Sequence, residues 1–143
     1  MLNQPFNGQL GDILTDSGVL RLKPAMEQFK ANGGHISAFI GVDAHGTSYE
    51  AVLNLFELCD ELYIVHSESG ATTFHSKVYM LSNDSGEKWM AVGSNNLTGG
   101  GLWTNFESAT CFDVDASLQN CSMAFEQLIT QYQDLNYACS MLI

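Results

Sequence analysis

The chain has 143 residues, 45% hydrophobic and only 15% charged, a balance that builds a packed core and excludes a disordered polymer. Sixteen acidic residues against five basic give a formal net charge of -11, which opposes gripping a long duplex through its phosphates, because only Arg21, Lys23, Lys30, Lys77 and Lys88 offer cations. No apolar run approaches the ~18 residues of a membrane span and no basic segment precedes an apolar one at the N-terminus, so neither a transmembrane helix nor a signal peptide is expected, and cytoplasmic residence is the default.

The length fits one domain, residues 1–143, of alternating α/β character, with a mixed β-sheet flanked by helices. Between about Val19 and Ala31, Leu22, Met26 and Phe29 recur at helical spacing, and Asn32-Gly33-Gly34 reads as the stop; Pro24 blurs the start. Ile36 to Val42 suits a buried strand. Thr47-Ser48-Tyr49-Glu50 reads as a capping box opening a helix through about Cys59, with Val52, Leu55 and Phe56 inward. Leu62 to Val65 is the next strand, and Thr73 to Leu81 a longer one. Asn83-Asp84-Ser85-Gly86 reads as a hairpin turn into a strand at Lys88 to Val92. Phe106 to Phe112 gives another strand, and Leu118, Cys121, Phe125, Leu128 and Tyr132 mark a final amphipathic helix.

The chemistry-bearing residues lie in the second half. His75 and Lys77 are two apart, so on a strand both project from one face, where an imidazole and an ammonium can meet the same phosphate. Ser94 and Asn96 repeat that spacing. Lys77 and the Asn96 amide suit the non-bridging oxygens of a phosphodiester under attack, His75 the nucleophilic or proton-transferring nitrogen, and Glu107 the orientation of His75. His45 and His66 follow predicted strands but read as structural, and His35 opens a strand. Trp103 in the glycine-rich loop reads as a turn anchor, with stacking on a base or on the partner subunit as the alternatives. The cysteines Cys59, Cys111, Cys121 and Cys139 form no C-x-x-C pair and read as buried thiols in a reducing compartment; no ligand spacing points to a metal or another cofactor.

His75-x-Lys77, then Gly93-Ser94-x-Asn96, then Glu107 resembles the HxK…GSxN…E signature of the phospholipase D superfamily. Gly93-Ser94-Asn95-Asn96-Leu97-Thr98, Gly101-Leu102 and Asn105-Phe106-Glu107 are most similar to its bacterial nuclease and metal-independent restriction endonuclease branch. The resemblance runs from about Val19 to Asp113. One position departs: the superfamily's usual Asp, five residues after the lysine, is Ser82 here, which weakens a phospholipase reading more than a nuclease one. The resemblance implies a metal-free phosphodiesterase that forms a phosphohistidine. With a single H-x-K in the chain, the second histidine of such a site is expected from another copy, hence a homodimer. The charge leaves two alternatives for the substrate. Either a separate DNA-recognition domain or subunit grips DNA for this catalytic domain, or the substrate is a lipid or small phosphodiester. A degenerate dimerisation or binding module is the third reading, opposed by the intact set His75, Lys77, Asn96 and Glu107.

Overall fold

A computed structural model of the chain describes residues 6–12, 14–42, 46–67 and 73–113. His45, Cys121, Cys139 and the helix expected around Leu118 to Tyr132 lie outside the described residues. In chain order the elements are β1 (Phe6–Asp12), α1 (Asp16–Ala31), β2 (His35–Gly41), α2 (Tyr49–Leu58), β3 (Glu61–Val65), β4 (Val78–Asn83), β5 (Lys88–Gly93), a π turn at Gly100–Thr104, and β6 (Ala109–Asp113). The strands form one mixed sheet in the order β3-β2-β1-β4-β5-β6. β1, β2 and β3 run parallel through helical crossovers, while β4, β5 and β6 are antiparallel to their neighbours.

One face of the parallel half carries Ile36, Ala38, Ile40 and Leu62, alternate residues that pack beneath Val19 and Met26 of α1 and Ala51, Leu55 and Leu58 of α2. Val78, Met80 and Met90 form a second buried cluster. Because Tyr79 packs on the helix side, strand alternation sends Val78 and Met80 to the opposite face.

Several expectations need correction. α1 begins at Asp16, three residues before Val19, and continues through Pro24. Pro24 and Leu20 both sit on the exposed side of the helix, so water can serve the Leu20 carbonyl that lacks its usual donor. The cap of α2 is Ser48, whose Oγ accepts from Ala51 N at 3.3 Å. Thr47 instead donates to Gly41 O at 2.7 Å and accepts from Leu14 N, tying the ends of β1 and β2 together. Cys111 on β6 is exposed, contrary to a buried thiol, since it faces outward from an edge strand. Strand β1 had no sequence counterpart.

Candidate active site

The residues singled out by spacing gather where β4 begins, β5 ends and β6 begins. His75 and Lys77 are not on a strand. Residues 73–77 run up to β4 without joining the ladder, because the chain crosses the end of β2; a Cβ on Gly41 would stand 2.6 Å from Phe74 O. Only at Lys77, whose carbonyl accepts from Gly93 N at 3.3 Å, does pairing with the β5 side begin. Lys77 is 9% exposed, and its ammonium donates to the His75 carbonyl at 3.2 Å. His75 itself is exposed.

Ser94 follows the last residue of β5 and is held by the start of β6. Its N–H donates to Ser108 O at 3.0 Å, and its Oγ accepts from Ser108 N at 3.2 Å. The same hydroxyl donates to Glu107 Oε2. The other carboxylate oxygen, Oε1, accepts from Asn105 Nδ2 at 3.1 Å. Glu107 therefore precedes β6 in an extended connection and engages Ser94 and Asn105 within this chain. The hydrogen bonds of Ser94 and then Asn105, with the nearby Lys77 charge, hold the Glu107 carboxyl below the ordinary glutamate range. Asn105 was not singled out from the sequence. Its position two residues before Glu107 in extended chain, which puts both side chains on one side, was the available signal.

The loop carrying Asn96 is anchored from beneath. Leu14 and Leu97, both fully buried, form an isolated parallel bridge, and Thr15 N donates to Leu97 O at 3.1 Å. Tyr79 OH donates to Asn95 O at 3.1 Å. The π turn then returns so closely that a Cβ on Gly101 would lie 2.4 Å from Asn96 O, so this approach requires glycine. The turn closes with Asn105 N donating to Gly100 O at 2.9 Å, the five-residue step of a π-bulge, a form frequent beside functional sites. The side-chain oxygens of Asn95 and Asn96 are buried without a hydrogen-bond partner.

His66 follows β3, and His35 opens β2 beside Asp60 and Glu61 at 3.8 and 3.9 Å. Burial pushes Asp60 upward, but the Ile36 N–H and the Lys30 ammonium outweigh it and leave the carboxyl lowered. An open apolar groove of about 570 Å³ runs between α1 and β4 to β6, lined in part by Leu22, Phe29, Tyr79, Trp89 and Leu102. It reaches Gly93 and Asn95 at one end but includes none of His75, Lys77, Asn96 or Glu107, and the Tyr79 phenol in its wall is engaged with Asn95 O. Among the described residues, no three His, Cys, Asp or Glu side chains group as metal ligands, and no helix is long and apolar enough to cross a membrane.

Among solved structures, the chain is similar to Nuc from Salmonella typhimurium, a phospholipase D family member, with a TM-score of 0.62 and 16% identity over 99% of this chain and 84% of that one. The chain has the phospholipase D fold. That fold also relates it to NucT from Helicobacter pylori, with a TM-score of 0.61 and 10% identity over 88% of this chain and 79% of that one. Polyphosphate kinase from Porphyromonas gingivalis matches with a TM-score of 0.65 and 14% identity over 96% of this chain but 19% of the kinase. No family model and no curated protein sequence matches. Within the phospholipase D fold, buried Lys77, whose ammonium binds the His75 carbonyl, and the hydroxyl-linked Glu107 carboxylate lie at one end of the sheet, beside exposed His75, a set of residue types able to hold an anion and move protons.

Proposed function

We propose that residues 1–143 act as one metal-independent phosphodiesterase domain that cleaves DNA in a cytoplasmic restriction or defence system. The observation that carries the reading is the convergence of buried Lys77, His75 and the Ser94–Glu107 pair at one end of a phospholipase D-type sheet. The likeness in fold to Nuc, a phospholipase D family member, and to NucT supports the reaction class.

In the proposed reaction, a His75 nitrogen attacks phosphorus as the bond to the leaving oxygen breaks, and His75 of the partner subunit gives that oxygen its proton. Water then adds to the phosphohistidine, losing a proton to the same partner imidazole, and frees the first histidine. Lys77 and Asn96 hold the non-bridging oxygens, and Ser94 fixes Glu107 near them. Since one histidine cannot act on both sides of phosphorus at once, the working unit is a homodimer about a two-fold axis.

The test offers DNA to the chain in excess chelator. Cleavage should persist, disappear in His75→Ala with the fold retained, and yield acid-labile, base-stable phosphate on His75 after rapid quenching. A requirement for added magnesium would overturn the mechanism. A stable monomer by light scattering, with undiminished turnover per chain, would remove the shared site. The net charge of -11 supports a second reading, hydrolysis of a lipid or small phosphodiester, and phosphatidyl esters assayed beside DNA decide between them.

A further inference from the structure

Two aromatic rings on the connection from the π turn to Glu107 stand in solvent. Trp103 is 74% exposed and Phe106 fully so. A turn-anchoring tryptophan would be packed down; this one instead carries the Arg21 guanidinium 4.0 Å from its ring centroid. Phe106 lies between Asn105 and Glu107, whose side chains bond each other. In extended chain the intervening residue projects to the other side, which turns the Phe106 ring away from the carboxylate and into water. The two rings are three residues apart, at most about 11 Å between α-carbons, roughly three base-stacking steps of ~3.4 Å.

We propose that Trp103 and Phe106 are a base-stacking pair that makes single-stranded nucleic acid the substrate of the adjoining site, a proposal that rests on the phosphodiesterase reading above. Bases inside a duplex keep their faces covered, whereas unpaired bases can lie on exposed rings without regard to sequence. Arg21 supplies a cation at the ring for a neighbouring phosphate. The charge balance points the same way: a duplex brings one phosphate per ~1.7 Å of axis to a chain of net charge -11, a single strand one per ~3.4 Å. Stacking, which needs no net positive charge, then carries the affinity that lysines and arginines cannot.

The test is binding, measured apart from turnover, with His75→Ala full-length chain titrated against a single-stranded oligothymidine and an abasic strand of equal length. The oligothymidine should bind at least about fivefold more tightly than the abasic strand. That advantage should vanish in Trp103→Ala and Phe106→Ala and persist in Trp103→Phe, which keeps a ring. Equal affinity for the two strands, or an advantage that survives both alanine changes, overturns the pairing. Loss of dimer in Phe106→Ala by light scattering also overturns it, by assigning that ring to a protein contact. Turnover by the wild-type chain is scored separately: no cleavage of DNA in any form refutes the nuclease reading on which the pairing rests, while cleavage without a base-dependent affinity refutes only the stacking.

Discussion

At Glu107, two donors and a cation act on one carboxylate. A carboxyl depressed in the folded chain keeps its ionised contacts above the ordinary glutamate range and loses them as pH falls through its own lowered value. Asn105→Ala removes one donor, so the Glu107 carboxyl should titrate at higher pH and the acid limb of the cleavage profile should move up with it. Carbon-detected NMR of the carboxyl and a pH series on DNA measure both, and an unmoved titration would refute the link. The cysteines offer a second check. Burial pushes the Cys59 thiol up to about 12, whereas Cys111 is exposed. Iodoacetamide near neutral pH should alkylate Cys111 and spare Cys59 in the folded chain, with peptide mass spectrometry as the readout. Residue types and spacings at the site were legible in the sequence; side-chain partners were not. Glu107 was expected against His75, but the extended connection before β6 directs it to Ser94 and Asn105, and spacing alone does not encode that path.

Among the elements, legibility followed apolar pattern. β2, α2, β3 and β5 announce themselves through apolar runs and turn residues, and their observed spans lie within a few residues of expectation, whereas β4 starts at Val78 rather than Thr73 and so leaves His75 and Lys77 ahead of the strand. β1 did not, because Asn7, Gly8, Gln9 and Gly11 carry almost no strand preference; pairing with β2 on one side and β4 on the other makes it a strand. The early start of α1 was hidden in the same way, its first turn being Asp16-Ser17-Gly18-Val19 with few helix formers. Pro24 gives a test at this scale. Its ring occupies an exposed position inside α1, and Pro24→Ala restores the missing helical hydrogen bond, so the variant should gain about 1–3 kcal/mol of stability. The midpoint of urea unfolding should rise with its slope unchanged; an unchanged or lower midpoint would show that the helix has adapted fully to proline.

For the molecule as a whole, the charge balance sets the expected response to salt. With only five basic residues, few counterions are released on binding, so duplex affinity should be weak and fall gently as salt rises. A nanomolar dissociation constant at physiological salt, with a steep salt slope, would contradict this. The order of the sheet bears on synthesis as well. β1, at its centre, pairs on one side with β4, and roughly 70 residues separate Gly11 from its partner Val78. At about 5–20 residues per second, the ribosome leaves that edge of β1 without its partner for several seconds. During that interval, the parallel half can assemble only as an open-edged fragment, and the nascent chain is exposed to strand-pairing errors until β4 emerges.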